Sequence, residues 1–462
     1  MFFGRESELK KLDEMYHSGN FEFAVIYGRR RVGKTTLIRQ FVKDKKTLFF
    51  VASESTALVN LVSLSVCIGK ESSAPVYRDF ESALKAVFDI AKDERVVFVI
   101  DEYPYLADAE RGVSSLLQIL IDHNRESSKL FLILCGSSMS FMENQVLGNK
   151  SPLYGRRTAQ FRILPFTFFD ALPFYDNFDP MDRAVLYGAT GGVPEYLSKI
   201  DRTKSIRENI FNLFLQTSGS FFEEPSNLLK QELREPATYN AIIQSIAWGA
   251  SKLNEIATKS GIESNKCAKY LTSLMILGIV KKEYPFGEEK SKRSIYKLQD
   301  QMFRFWYRFV YPNLSAITAG LGDMVYEHEI APELNAYMGH IFEDICKQWF
   351  FKLAKENLLP FYVGNFGRYW GTNPLTKTQE EIDIMATRKN DALFAECKWQ
   401  NTPVGIEVYY ALKQKSGKFR FQNPYYFIFS KSGFDSKLQK LSQSDKFLRL
   451  VSLGISRISN FC

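Results

Sequence analysis

The sequence predicts an α/β protein: a parallel sheet with helices on both faces, then a helical segment ending in a hairpin, then a second, smaller α/β domain. Three observations predict this. Four short apolar runs, FAVIYG (23–28), TLFFVA (47–52), VVFVID (96–101) and FLILCG (131–136), are each followed by helix-like sequence, the pattern of buried parallel strands. Residues 205–300 change to short helices and two strand-like runs around a charged turn. From about 335, the helix-like LNAYMGHIFEDICKQWFFKLA precedes the strands EIDIMAT, DALFAECKW and YYFIFS.

Length and composition set the frame. A chain of 462 residues accommodates about three domains. With 45% apolar and 24% charged residues it has enough apolar surface to fold, which excludes a disordered or fibrous chain. No run approaches the ~18 apolar residues of a membrane span, and charges appear at once at Arg5 and Glu6, so neither membrane insertion nor a secretory leader is expected. The six cysteines stand in no metal-ligand spacing, which fits a reduced, cytoplasmic protein without zinc or a disulfide framework. The net charge of +8 is concentrated: residues 401–462 carry seven Lys and three Arg against Glu407, Asp435 and Asp445. Such an end serves either a phosphate-rich partner or a solvated surface.

The first motif lies between a strand and a helix. GRRRVGKTT matches Gly-x-x-x-x-Gly-Lys-Thr with Gly28, Gly33, Lys34 and Thr35 in register, and Val32 and Thr36 complete the loop. Glycines let successive N–H groups converge on one phosphate cluster, and the helix N-terminus adds partial positive charge. Lys34 is expected to reach the β- and γ-phosphates, and Thr35 to ligate Mg²⁺. RVVFVIDEY then delivers Asp101 and Glu102 at the C-terminal end of a buried strand, where ligands bind in open α/β sheets. Asp101 is the expected Mg²⁺ partner and Glu102 the residue that polarises the attacking water. Ser137 and Ser138, after FLILCG, are either γ-phosphate sensors or loop serines. Arg156 and Arg157 of PLYGRRT are either transition-state cations, with Arg157 the candidate, or solvated. GGVPEYL (191–197) is a tight, rigid turn.

These motifs, in this order from FFGRESELKKL to GGVP, resemble archaeal-type AAA-like ATPases of the STAND group over roughly residues 1–300. The resemblance implies that the phosphate loop and the Asp-Glu pair bind MgATP. It also implies that Gly4–Glu6 lies near the adenine and that Gly192-Val193-Pro194 links the ATPase core to a winged helix. Such proteins act as nucleotide-driven switches.

The middle segment agrees with that organisation. LNEIATKSG reads as a helix stopped by Gly261, and SNKCAKYLTSLMILG as one capped by Ser264 and ended at Gly278. IVKKEYP and RSIYKLQ form a hairpin, completing a winged helix-turn-helix. Its candidate recognition helix offers only Lys266 and Lys269 as cations, so a hinge role is expected. The aromatic QMFRFWYRFVYP is expected to pack between domains. The expected division is 1–204, 205–315 and 316–462.

The last domain carries its own constellation. Strand alternation in EIDIM places Glu381, Asp383 and Met385 on one face and Ile382 and Ile384 on the other. In LFAECKW, Glu396 and Lys398 share a face. Neighbouring strands would then bring Asp383, Glu396 and Lys398 together: two carboxylates for Mg²⁺ and a lysine to orient water. Glu343, in HIFEDI, is a further candidate ligand. This Asp…Glu-x-Lys pattern resembles the PD-(D/E)XK nuclease superfamily, although Ile382 stands where Pro is common. The resemblance implies a restriction-endonuclease-like domain, with Asp383, Glu396 and Glu343 as metal ligands and Lys398 as the catalytic lysine. The basic residues Lys413, Lys415, Lys418 and Arg420 follow it, either beside that centre or on an exposed helix.

Together these readings give an ATP-binding switch with a Mg²⁺-dependent nuclease-like domain that acts on or binds nucleic acid. The alternative is an ATP-dependent regulator or DNA-binding protein whose nuclease fold is silent. The expected partners are ATP, nucleic acid at the basic end, and a second copy or another protein, with no membrane.

Overall fold

A computed structural model describes residues 2–69, 76–289, 291–373 and 377–454. Two compact units emerge, residues 1–165 with 193–195, and residues 166–192 with 196–462.

The first unit is organised by its apolar runs. They form β1 (Glu22–Tyr27), β2 (Thr47–Val51), β3 (Val96–Asp101) and β4 (Leu130–Gly136), and the polar stretch Ala159–Arg162 adds β5. All pair in parallel in the order β2-β3-β4-β1-β5. β3 and β4 are buried along their whole length, which is why they read as continuous apolar runs. Ala24, Ile26, Val97 and Ile133 meet Ile38 and Phe41 of the helix Lys34–Val42 in one core. Because β4 lies between β1 and β3, the C-terminal ends of these three strands bring Gly28, Ser137, Asp101 and Glu102 to one sheet edge.

The second unit begins with helices. Pro180–Thr190 starts at an Asp179 cap, and Ile206–Phe214 at a Ser205/Glu208 capping box. Pro236–Ala247, Leu253–Ser260 and Ser264–Ile276 follow, then the antiparallel hairpin of β6 (Val280–Glu283) and β7 (Ile295–Leu298). Gly261 ends the second of these helices in the left-handed region, at φ 68°. Ser264 is not a cap: it is the first helical residue, the cap position is Glu263, and no side chain closes that end. The aromatic segment after β7 is buried within this unit, where the Trp306 indole N–H donates to the Phe222 carbonyl at 2.9 Å.

The helix Leu334–Lys355 then lies on a mixed sheet of order β12-β11-β10-β9-β8. Its strands are β8 (Phe366–Thr372), β9 (Gln379–Arg388), β10 (Asp391–Lys398), β11 (Asn423–Ser430) and β12 (Leu448–Ser452). β8 and β9 run antiparallel to their neighbours, and β10, β11 and β12 run parallel. One core holds Phe342, Cys346 and Phe350 of the long helix with Ile384, Ala386 and Ala395. The other holds Ile382, Met385 and Phe394 with Tyr409 and Leu412 of the helix Ile406–Ser416.

That partition overturns the simple alternation expected for EIDIM. Ile382 and Ile384 belong to different cores, and Met385 joins Ile382. The cause is a register shift between β8 and β9, where Gly367 faces Met385 but Tyr369 faces Ile382. Asp383 and Ile384 thus stand opposite the single residue Arg368, a bulge that reverses the strand's faces. Among the described residues no helix is long and apolar enough to cross a membrane.

Candidate functional site: a phosphate loop and a carboxylate centre

The phosphate loop is shaped by close approach and left-handed backbone. A Cβ on Gly28 would lie 2.3 Å from the Ile163 carbonyl oxygen, so only glycine fits. Arg31 and Gly33 turn the loop at φ 71° and 88°. Val32 is fully buried and anchors it, whereas Thr36 is exposed on the helix. No side chain caps the start of Lys34–Val42, so the first-turn N–H groups face the loop as an anion cradle. Lys34 is buried and donates to the carbonyls of Gly28 and Arg29 at 2.9 and 3.0 Å. Arg5, in the early segment, donates to the Val32 and Leu164 carbonyls and so ties that segment to the loop.

The acidic pair stands opposite. Thr35 Oγ1 donates to Asp101 Oδ2 at 2.8 Å, closing the space between loop and β3. Glu102 follows β3 in the left-handed region at φ 52°, a sparsely populated conformation for a side chain of its size. Its carboxylate accepts from Ser137 Oγ at 2.9 Å and Ser137 N at 3.3 Å, so Ser137 orients Glu102 from the end of β4. Ser138 instead opens the next helical turn. Arg156 is committed to Asp122 through two bonds of 2.8 and 2.6 Å. Arg157 makes no such ion pair among the described residues and lies over the Tyr154 ring, 5.9 Å from its centroid.

In the second unit, carboxylate oxygens of Glu343, Glu381 and Asp383 come within 4.8 Å of one another. The bulge makes this possible by turning Asp383 toward the long helix that carries Glu343. Asp383 Oδ2 accepts from the Cys397 N–H at 2.8 Å, just past the last β9–β10 pair, Ala395 with Ile384. Burial, then Glu396 and Glu343, push the Asp383 carboxyl up to about 8. Burial also opposes charge on Glu343, yet the His340 hydrogen bond, Arg368 and Lys297 outweigh it and hold that carboxyl below its ordinary value. Arg368 pairs with Glu381.

Glu396 is turned to cations. Its Oε1 accepts from Lys398 Nζ at 2.7 Å, and its Oε2 is 3.7 Å from Lys415 Nζ. Burial lowers the Lys398 pKa and Glu396 outweighs it, leaving the ammonium above its ordinary value. Glu396 Oε2 is buried, with no hydrogen-bond partner among the described residues. An orphaned acceptor beside a carboxyl whose charge is resisted is a donor set that suits a divalent cation. Of the remaining basic residues, Lys418 pairs with Glu380 at 2.6 Å, Lys413 lies over Tyr409, and Arg420 occupies the left-handed region at φ 51°.

Comparison with known proteins places both units. A family model described as an ATPase domain predominantly from Archaea matches residues 2–200, and one described as archaeal and bacterial proteins of unknown function matches residues 306–416. An uncharacterised protein of Methanocaldococcus jannaschii is 35% identical over 405 residues, covering 87% of this chain and 88% of that protein. The chain belongs to that protein's family. It is a P-loop ATPase. An uncharacterised ATP-binding protein of the same organism is 44% identical over 46 residues, 10% of this chain and 78% of that one. Among solved structures, the Walker-type ATPase of Pyrococcus abyssi matches at TM-score 0.51 and 18% identity, covering 66% of this chain and 96% of that one, a likeness of fold.

Three features of this ATPase were not read from its sequence. Glu381 shares the alternating face of Asp383 in EIDIM, a signal that was present. Arg368 lies in FGRYWGT, whose glycines and Arg carry no strand pattern, and its place opposite the bulge is a product of register. The bond from Ser137 to Glu102 spans two strands that are neighbours only in the folded sheet.

Proposed function

We propose that this ATPase is a nucleotide-driven switch of the STAND type, coupled to a Mg²⁺-dependent nuclease-like centre that acts on nucleic acid. The working division is an ATPase core at 1–204, a winged-helix connector at 205–315 and a nuclease-like domain at 316–462. Three helices followed by the β6–β7 hairpin support the connector as a winged helix serving as a hinge. In the core, Gly28, Val32, Gly33, Lys34, Thr35 and Thr36 receive the triphosphate. Thr35 and Asp101 hold the cation, Glu102 orients the attacking water, and Arg157 meets developing charge on the phosphate.

The observation that carries the nuclease-like reading is the convergence of Glu343, Glu381 and Asp383 beside the Glu396–Lys398 pair. Asp383, Glu343 and Glu396 are assigned as ligands. A divalent cation held by them would supply charge neutralisation and an activated water. Lys398 holds Glu396 and positions a phosphate oxygen, while Asp383 gives up its proton as the centre is charged. Asp383→Ala or Lys398→Ala is expected to abolish Mn²⁺-dependent cleavage of nucleic acid by ~10²-fold or more while leaving ATP hydrolysis unchanged. Equal cleavage by wild type and both variants would remove the centre from the chemistry.

A second reading, a regulator whose nuclease fold binds without cutting, is favoured by one feature: Glu381 is occupied by Arg368. A protein that binds nucleic acid and cleaves none, with or without ATP, meets that reading. The five described cysteines are free thiols, which supports a cytoplasmic place. A second copy or a protein partner at the connector completes the proposal.

A further inference from the structure

The β6–β7 hairpin is fastened to the sheet by contacts that reach the carboxylate centre. The Phe286 N–H donates to the Arg368 carbonyl at 2.8 Å. The Phe286 ring occupies the space left by Gly367, where a Cβ would meet Phe286 Cδ2 at 2.7 Å. Arg368 thus receives the hairpin through its backbone and occupies Glu381 through its side chain. From β6, Lys281 bonds Asp344 on the long helix at 3.1 Å and Glu283 at 2.9 Å. From β7, Lys297 reaches Glu283 at 3.4 Å. A cavity of about 450 Å³ remains between hairpin, long helix and β9, and Lys297, Lys347, Glu343, Arg368 and Asp383 all line it.

We propose that the docked hairpin sets the substrate class of the carboxylate centre, admitting a single nucleic-acid strand and excluding duplex. This rests on the nuclease-like reading above. The cavity volume falls in the ~300–1,000 Å³ range of small-ligand sites, room for a nucleotide or two of an unpaired strand. A duplex brings two paired strands to the site, more than a cavity of this volume holds while the hairpin is docked. The lining carries what a strand site requires, carboxylates for a cation and ammonium groups for the backbone. Lys347 supplies the least committed of these. It stands one turn beyond Glu343 on the long helix, has no ion-pair partner among the described residues, and is held below the ordinary lysine pKa by burial and by Lys281. A phosphate gives that ammonium the partner the fold does not.

The test is fluorescence anisotropy on the full chain in Ca²⁺ buffer, with a labelled oligonucleotide of about twelve residues, single-stranded or annealed into a blunt duplex. Wild type is expected to bind the single strand ~10-fold or more tightly than duplex. Lys347→Ala should weaken single-strand binding by about 10-fold. Phe286→Ala should raise duplex affinity and bring the two toward equality, with Phe286→Leu, which keeps an apolar plug, as the folded control. Duplex bound as tightly as single strand by wild type, or a preference that Phe286→Ala leaves unmoved, overturns the inference. Mn²⁺ binding on the same protein separates it from the reading beneath. Cation bound with duplex preferred defeats the hairpin inference alone; single-strand preference without a bound cation defeats the nuclease-like reading and leaves the hairpin's selectivity standing.

Discussion

At the residue scale, Lys34 and Glu102 are proposed to do different work at the same phosphate loop. Lys34 bonds loop carbonyls that a triphosphate can replace with charged oxygens, so Lys34→Ala should weaken ATP binding by ~10–100-fold in a titration. Glu102, aimed by Ser137, makes no hydrogen bond to the phosphate loop among the described residues. Glu102→Gln should preserve ATP affinity while slowing hydrolysis by ~10²-fold or more, and a fully active variant would remove Glu102 from the mechanism. Asp383 adds a pH signature. Its carboxyl is raised from 3.8 to about 8, so the folded state holds a proton that the unfolded chain releases. That contribution is complete below the unfolded value and is lost as pH rises toward about 8. In metal-free buffer, the melting temperature of wild type relative to Asp383→Asn should therefore fall between pH 5 and pH 8.

At the scale of elements, the hairpin's ion pairs carry the opposite sign. Burial pushes the Glu283 carboxyl up, but Lys281 and Lys297 outweigh it and lower it from 4.5 to about 2. The stabilisation is present above the unfolded value and disappears as pH falls toward about 2. Glu283→Gln should narrow the acid loss of stability relative to wild type, read from melting curves between pH 5 and pH 2.5. Elements also explain what the sequence makes visible. β1 to β4 are legible because strands buried on both faces are nearly continuous apolar runs. β5 is four residues with exposed polar positions, β8 is interrupted by Gly367 and Gly371, and β12 is a short terminal strand; none of the three carries a periodic signal. The residues of the carboxylate centre are legible as a spacing, while their geometry depends on the Asp383–Ile384 bulge. Alternation assumes a regular ladder, and a single extra residue moves Met385 to the other face.

At the scale of the molecule, the phosphate loop and the proposed carboxylate centre fall in different compact units, each built around a five-stranded sheet of its own. The positive end of the chain is sharpened by the structure. Lys415 and Lys418 answer carboxylates outside that end, Glu396 and Glu380, so part of its charge serves the domain's own electrostatics rather than a partner. The proposed carboxylate centre would hold a cation apart from the phosphate loop. Nucleotide-free calorimetric titration of Mn²⁺ into Lys34→Ala, and into Lys34→Ala/Asp383→Ala, tests it most directly. Saturable Mn²⁺ binding is expected for the first protein and is lost in the second. Equal binding by both, or no binding by either when both are folded, would contradict it.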